Sequence, residues 1–233
     1  MSSEDFFSFL NSISSNPLQV LDATIPISNY IPIDLSKNNS DLNHFDVSSS
    51  SAWQNYIDNY LQKYGKTVAF GGYLEQRNIY NRSPYFKKEN LNDERNIHLG
   101  VDLWIAAGAS IYTPLDAAVH SFKNNTNFGD YGPTIILKHQ IKGEEFYTLY
   151  GHLSLASITN LQVGQTFNVG DCIATLGEST INGDYAPHLH FQIIKDMEGN
   201  YGDYPGVCSK KNLDKFKLNC PDPNTLLKLN LIY

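Results

Sequence analysis

The fold is decided by a stretch at residues 98–105, which reads His-Leu-Gly-Val-Asp-Leu-Trp-Ile. Every second residue, from the first leucine to the final isoleucine, is apolar, and this is the period of a half-buried β-strand. On such a strand His98, Gly100 and Asp102 lie on the opposite face, and the glycine leaves room between the two polar side chains. A histidine and an aspartate on an apolar strand lower stability unless a partner compensates them. The stretch therefore predicts a strand that presents two polar groups to one partner.

A second stretch, at residues 187–193, repeats the pattern and reads Pro-His-Leu-His-Phe-Gln-Ile. His188, His190 and Gln192 share one face of the predicted strand, while the leucine, phenylalanine and isoleucine share the other. The proline at its start needs no partner for a missing N–H, which suits the first position of a strand. Two such strands can present their donors to one metal ion.

Zinc enzymes generally use three protein ligands and leave the fourth position for water. Two imidazoles and one carboxylate give that number, so the predicted ligands are His98, Asp102 and one histidine of the second strand. The spacing does not decide between His188 and His190. The other histidines, among them His152 in a Tyr-Gly-His-Leu stretch, are predicted to act beside the ion as general base, general acid or oxyanion donor. The sequence contains no His-Glu-x-x-His segment, which excludes a helical site of the thermolysin type.

The three motifs, in the order His-x-Gly-x-Asp, Tyr-Gly-His-Leu and His-x-His, resemble those of the lysostaphin/LytM-type zinc endopeptidases. Enzymes of that family cut peptide bonds in bacterial peptidoglycan. The resemblance implies one zinc ion per chain, with His98, Asp102 and His190 as its ligands. It also implies that His152 and His188 are catalytic residues, which activate the water and stabilise the tetrahedral intermediate.

The resemblance further implies a mainly β fold, an antiparallel β-sheet groove of the LytM/lysostaphin type with a barrel-sandwich-like shape. Strand-like runs punctuated by glycine, asparagine and aspartate from Val68 to about Ile194 favour the same class. We expect an N-terminal extension at residues 1–67 and a metallopeptidase domain at residues 68–233, whose core at about residues 95–195 carries the resemblance.

Helices are predicted only near the two ends of the chain. A short one is expected near Phe6–Ile13, and an amphipathic one at about Ala52–Lys63, where the serines at 48–51 supply an N-cap. Asp222 and Pro223 have the residue types of an N-cap and a first helical position, so a closing helix is expected from there through Leu229.

The composition bounds the class of protein. A chain of 233 residues with 41% hydrophobic and 12% aromatic residues is expected to fold into a globular domain with extensions. A net charge of −7 argues against binding nucleic acid or an anionic surface. No stretch approaches the ~18 apolar residues of a membrane span, so no membrane association is expected. The first residues lack the pattern of a secretory signal, which predicts a cytoplasmic protein if the chain is full length and an extracellular or periplasmic one if a signal was trimmed.

Several residues outside the motifs are candidates for contact with substrate. Arg77 and Arg95 have the chemistry to hold a carboxylate in a bidentate fashion, and the alternative for each is a surface ion pair. Tyr131 begins a segment that resembles the cleft-wall strand of the family, which makes it a third candidate. The resemblance also raises the question of a transition-state tyrosine upstream of the first motif, for which the candidates are Tyr73, Tyr80 and Tyr85.

The three cysteines are an odd number, which fits poorly with a fully paired disulfide protein. Cys172 lies in a strand-like run and is predicted to be a buried small hydrophobe. Cys208 and Cys220 are a possible pair in an oxidising compartment.

The function expected from these observations is zinc-dependent hydrolysis of peptide bonds in glycine- or D-alanine-containing peptides of the peptidoglycan type. One alternative is a cytoplasmic zinc hydrolase of small peptides or amino-acid conjugates. Another is a non-catalytic binding module on the same fold, although the presence of all the ligands and both catalytic histidines argues against it. The expected partner is a peptide or peptidoglycan-fragment substrate.

Overall fold

Twelve β-strands and five α-helices make up the computed structural model, which describes residues 3–82 and 93–229. The strands, in chain order, are β1 Tyr30–Pro32, β2 Val68–Gly71, β3 Arg95–His98, β4 Val101–Trp104, β5 Ser110–Tyr112, β6 Ala117–Asn125, β7 Gly132–Ile141, β8 Glu144–Gly151, β9 Thr166–Phe167, β10 Cys172–Thr175, β11 His188–Ile194 and β12 Val207–Ser209. The helices are α1 Ser3–Ile13, α2 Ser50–Tyr64, α3 Ala156–Thr159, α4 Leu213–Asn219 and α5 Asn224–Leu227. Among the described residues no helix combines the length and apolar character that crossing a bilayer requires.

Eight of the strands form one sheet in the order β1-β2-β4-β11-β8-β7-β6-β9. All neighbours in it are antiparallel except β1 and β2, which run parallel. Two small antiparallel pairs, β10 with β5 and β12 with β3, complete the β structure. The prediction of a mainly β fold dominated by antiparallel pairing is confirmed.

The segment that opened the sequence analysis is not one continuous strand, and this prediction is wrong. Strand β3 ends at His98 and pairs with β12, whereas β4 begins at Val101 and lies between β2 and β11 in the large sheet. Leu99 donates its N–H to the carbonyl of Gly206, at 2.8 Å, and packs in a different apolar cluster from Val101. Gly100 permits the crossing because a Cβ there would lie 2.6 Å from the imidazole of His190.

The predicted amphipathic helix is confirmed as α2, and it extends slightly beyond the expected ends. Ser49 caps it by accepting the N–H of Ala52 at 3.2 Å, and Gly65 ends it in a left-handed conformation with φ of 59°. Its buried face carries Trp53 and Ile57, which pack in one apolar cluster with the strand residue Trp104. The predicted first helix is also confirmed, as α1.

The C-terminal helix is shorter than expected. Pro223 is its N-cap rather than its first helical residue, and the Asp222 carboxylate accepts the N–H of Asn224 at 2.8 Å. The helix ends after Leu227 because Lys228 adopts a left-handed conformation with φ of 47°. Helix α4, just before it, was not predicted.

One prediction about the cysteines, that Cys172 is buried, is wrong. Cys172 is exposed, not buried, because the inward positions of β10 are taken by Ile173 and Ala174 beside a register shift in its pairing with β5. Cys208 and Cys220 are both buried, and none of the three cysteines, all of which are described, forms a disulfide.

A buried histidine outside the motifs makes the stability of this fold depend on pH. His139 is fully buried in β7, its Nδ1 donates to the Asp116 carbonyl at 2.9 Å, and burial lowers its pKa to about 4. An unfolded histidine titrates near pH 6.5, so between pH 6.5 and 4 the unfolded chain binds a proton that the folded chain does not. The stabilising contribution is therefore complete above pH 6.5 and is lost as the pH falls towards 4, by on the order of 3 kcal/mol.

We expect His139→Gln to flatten the fall in unfolding free energy between pH 7 and 4, measured by urea denaturation in the presence of a chelator. His44→Gln, at an exposed position in the same chain, is the control and should leave the slope unchanged. Parallel curves for the parent and His139→Gln proteins would contradict the assignment.

Candidate metal and catalytic site

The motif residues meet where β4 and β11 run side by side in the middle of the large sheet. In this antiparallel pair Asp102 lies opposite His190, and Trp104 lies opposite His188. On the other side of β11, Gly151 at the end of β8 is paired with His190, which brings His152 to the same place. His98 and His190 are 92 residues apart in sequence, and only this strand order makes them neighbours.

Three side chains present one ligand atom each to a common point. His98 Nε2 lies 2.8 Å from His190 Nδ1, and Asp102 Oδ1 lies 3.2 Å and 3.3 Å from these two nitrogens. Asp102 Oδ1 is buried and accepts no hydrogen bond from the described residues. These three residues are also a group whose ligand atoms are close enough to hold a metal ion.

The outer nitrogens of the two histidines decide what the inner ones can do. His98 Nδ1 donates to the Gly72 carbonyl at 3.0 Å, and His190 Nε2 donates to Gln192 Oε1 at 2.9 Å. The Gln192 amide is oriented in turn, because its Nε2 donates to the Pro205 carbonyl at 3.1 Å. A neutral imidazole has one N–H, so both inner nitrogens carry lone pairs. Two lone pairs and a carboxylate oxygen facing one another repel unless a cation lies between them, and the donor set therefore fits a metal cation.

Burial and charge give His98 and Asp102 the protonation states that a metal requires. Burial lowers the pKa of His98 to about 4, which keeps the imidazole neutral at physiological pH. Burial by itself raises the pKa of Asp102, but His98 and Arg77 beside the carboxylate outweigh it and hold that pKa well below its usual range. Neutral imidazole and ionised carboxylate are the ligand forms that bind divalent metals.

The two further histidines lie beside this point with their rings fixed in the same way. His152 Nδ1 donates to the Asn182 carbonyl at 2.7 Å, and His188 Nδ1 donates to the Ala186 carbonyl at 2.8 Å. Their ring centroids are 4.3 Å apart, and His188 Nε2 lies 3.8 Å from Asp102 Oδ1. Burial lowers both pKa values, that of His188 to about 4. Each ring is therefore a neutral base with its Nε2 available.

The backbone at His152 is held in a left-handed conformation, with φ of 63°, at the end of β8. A non-glycine residue rarely adopts this conformation, and such strain persists only where the surrounding structure imposes it. Here the His152 N–H donates to the Tyr131 carbonyl at 2.9 Å, and the His152 carbonyl accepts from Gly177 at 2.9 Å. In this backbone conformation the imidazole of His152 lines the cavity of the site.

Arg77 is neither exposed nor in a surface ion pair, so that alternative from the sequence is wrong. Its guanidinium is 5% exposed, and it donates to Asp102 Oδ2 at 2.5 Å and to Glu75 Oε2 at 2.5 Å. One oxygen of Asp102 is thereby occupied by Arg77, and the other faces the two histidines. Arg77 also lines the cavity above the site, so a contact with substrate stays a prediction.

The other two candidate substrate residues also line that cavity. Arg95 is partly exposed, and its Nε donates to the Val207 carbonyl at 3.0 Å. Tyr131 is buried, and its hydroxyl lies 3.4 Å from His190 Nε2. Gly206 makes room for this ring, because a Cβ there would lie 1.8 Å from the hydroxyl oxygen.

Of the three upstream tyrosines, Tyr80 lines the cavity. Tyr73 instead donates its hydroxyl to the Cys220 carbonyl at 2.8 Å and is not among the described lining residues. Tyr85 lies outside the described residues.

Sequence reasoning missed two tryptophans that stack in series beside His188. The Trp104 ring stacks on His188, with centroids 4.0 Å apart and planes at 22°, and Trp53 of α2 stacks behind Trp104 at 6.5 Å and 14°. A signal for Trp104 was present, since it follows Asp102 by two residues and so lies on the same face of the strand. Nothing local to Trp53 distinguishes it from the other aromatic residues of an amphipathic helix.

The five motif side chains of the site are almost completely buried. His98, Asp102, His152, His188 and His190 are between 0% and 5% exposed, and they lie at the base of a cavity of about 250 Å³. A substrate bond has to enter this cavity to reach them.

Comparison with known proteins finds one matching family. A sequence model described as peptidase family M23 matches residues 96–203. No curated protein matches the chain.

Similar solved structures include the catalytic domain of the antimicrobial peptidase lysostaphin from Staphylococcus simulans, at 20% identity over 73% of this chain and 98% of that one, with a TM-score of 0.39. A zinc containing peptidase from Vibrio cholerae is 24% identical over 46% of this chain, with a TM-score of 0.35, and the similarity covers only 30% of that protein's length. The catalytic domain of a variant of the prophage-encoded M23 protein EnpA from Enterococcus faecalis is 16% identical over 54% of this chain and 83% of that one, with a TM-score of 0.37.

The three motifs occur in the family's order, their side chains converge on one point of the sheet, and the matched residues span all of them. Residues 96–203 of this chain thus match peptidase family M23 and carry all three motifs that resemble those of the lysostaphin/LytM-type peptidases.

Proposed function

We propose that this chain is a zinc-dependent peptidase with one zinc ion per chain, held by His98, Asp102 and His190. The observation that carries the proposal is the convergence of two imidazole lone pairs and one unpartnered carboxylate oxygen within 3.3 Å of one another. Two histidines and one carboxylate are a common ligand set of catalytic zinc, which keeps a fourth position for water. A zinc ion in such a site supplies Lewis acidity to the reacting carbonyl and water.

His152 and His188 are the proposed catalytic residues, and their contacts define what each ring can do. Both rings donate through Nδ1 to backbone carbonyls, which leaves Nε2 as a proton acceptor facing the site. In hydrolysis of a peptide bond the pair takes one proton from the attacking water and returns one to the leaving amine. Once protonated, an Nε2–H also donates to the oxyanion of the tetrahedral intermediate. The burial of both rings strengthens these interactions, since the effective dielectric constant around buried groups is lower than in water.

The proposed substrates are glycine- or D-alanine-containing peptides of the peptidoglycan type, which the family resemblance supports. The reaction itself requires only a peptide carbonyl that reaches the base of the cavity. A complete set of proposed ligands and catalytic histidines favours an enzyme over a non-catalytic binding module.

The first prediction separates ligands from catalytic residues. We expect about one zinc per purified chain by mass spectrometry, and its loss in His98→Ala, Asp102→Ala and His190→Ala. The variants His152→Ala and His188→Ala should keep their zinc and lose a factor of roughly 10²–10⁴ in kcat, as expected for removal of a general acid or base. Loss of zinc from His188→Ala together with its retention in His190→Ala would show that the third ligand is the other histidine.

The second prediction concerns the side chain that orients His190. Gln192 accepts the outer N–H of that ring, and loss of such a partner commonly weakens metal affinity by about 10–100-fold. We expect a reduction of this size in Gln192→Ala, measured by competition with a chromogenic chelator. Gln140→Ala, an exposed position on β7, is the matched control. Unchanged zinc affinity in Gln192→Ala would mean that packing alone holds the His190 ring.

A further inference from the structure

One wall of the active-site cavity comes from the N-terminal part of the chain, outside the residues that match the peptidase family. Leu35 and Trp53 both line the cavity and are buried, and Ile79 and Tyr80 continue the same wall. These four residues pack in one apolar cluster with Trp104 and Tyr185. The wall is therefore part of the folded core and not a loosely placed flap.

The wall is joined to the catalytic residues through two sets of contacts. Trp53 stacks on Trp104, which stacks on His188, and the Trp53 indole N–H donates to the Val47 carbonyl at 2.8 Å. Separately, the Leu35 N–H donates to Glu75 Oε1 at 2.9 Å, and the other oxygen of Glu75 binds Arg77 beside Asp102.

A further contact fastens helix α2 to the loop that leads into β11. Ser50 Oγ donates to Asp184 Oδ1 at 2.7 Å, next to Tyr185, which lines the cavity. The Tyr185 hydroxyl in turn donates to the Gly129 carbonyl at 2.8 Å. The start of α2 is thus held to a segment that belongs to the peptidase domain, and this fixes the distance between Trp53 and Tyr185.

The size and charge of the cavity limit what it accepts. Its volume of about 250 Å³ lies just below the roughly 300–1,000 Å³ typical of sites that hold drug-sized ligands. The lining also carries charges of both signs, from Arg95, Asp130 and Asp203, which complement the charged end of a peptide better than an uncharged polymer segment.

We propose that the N-terminal wall makes this site specific for short, free peptides of about two or three residues, and that Trp53 is the residue that sets the length limit. This proposal rests on the proposed function and narrows its substrate class from peptidoglycan-type peptides in general to small soluble ones. Internal bonds of a cross-linked polymer are excluded because the chain on either side of them meets the wall.

The test uses binding, so that it does not depend on turnover. The chain has two tryptophans, Trp53 and Trp104, and both line the cavity, so their fluorescence reports on its occupancy. The zinc-loaded His152→Gln variant of the whole 233-residue chain, which we expect to bind without cleaving, would be titrated with glycine oligomers of two to six residues. We expect triglycine to bind at least tenfold more tightly than hexaglycine.

Adding Trp53→Ala should bring the two affinities within about threefold of each other, because the wall is opened, while Trp104 still provides the signal. Trp53→Phe keeps an aromatic ring in place and should retain the preference. Phe45→Ala is a control for damage to the helix packing, since Phe45 contacts Trp53 with centroids 5.2 Å apart but is not among the described lining residues. Equal affinity for the two peptides in the His152→Gln protein, an unchanged ratio after Trp53→Ala, or no fluorescence change with any peptide would overturn the proposal.

Cleavage assays with the zinc-loaded parent chain keep this inference distinct from the proposed function. Cleavage of cross-linked peptidoglycan as efficiently as of triglycine would overturn the length limit and leave the peptidase proposal standing. A clear length preference in binding, without cleavage of any bound peptide, would support the wall and overturn the proposed activity.

Discussion

The structure depends on a carboxylate that has no contact with solvent. Asp102 is fully buried in the central strand β4, where an uncompensated charge would cost several kcal/mol. The Arg77 guanidinium donates to one oxygen of Asp102 and so compensates its charge. The same guanidinium also donates to the carboxylate of Glu75. The other oxygen of Asp102 is left for the histidines. Buried ion pairs of this kind add little to stability by themselves, but removing one partner is strongly destabilising, so the arrangement fixes the geometry of the site.

The sheet order turns this local constraint into a site. Strand β11, which carries the His-x-His motif, lies between β4 and β8. Asp102 of the first motif is on β4, and the Tyr-Gly-His-Leu motif is at the end of β8, so the three motifs are neighbours in the sheet. The break at Leu99 and Gly100 then directs β3 into a separate pair with β12, and His98 reaches the common point from outside the large sheet. The outer nitrogen of every ring in the site meets a carbonyl or amide oxygen, so no imidazole is free to rotate away.

The peptidase domain and the N-terminal part of the chain share the site. Residues 96–203 match the family and contain all five motif side chains, yet Arg77, Trp53 and Leu35 lie outside that range and touch or enclose them. Strand β1 also pairs in parallel with β2 and so extends the large sheet. The chemistry we propose thus belongs to the domain, whereas the access to it is shaped by residues that the family match does not include.

The sequence by itself determined the mainly β class, helix α2, the family resemblance and the set of polar residues at the site, because strand and helix periods and motif spacing are local properties. Spacing left His188 and His190 equivalent as ligands, and only the tertiary structure shows that His190 Nδ1 lies 3.3 Å from Asp102 Oδ1 while His188 Nε2 lies at 3.8 Å. The break at Gly100, the burial of Arg77 and the stack of Trp53 on Trp104 were likewise decided by packing. Each of these features depends on contacts between residues that are far apart in sequence. A local sequence pattern does not predict which distant residues come into contact.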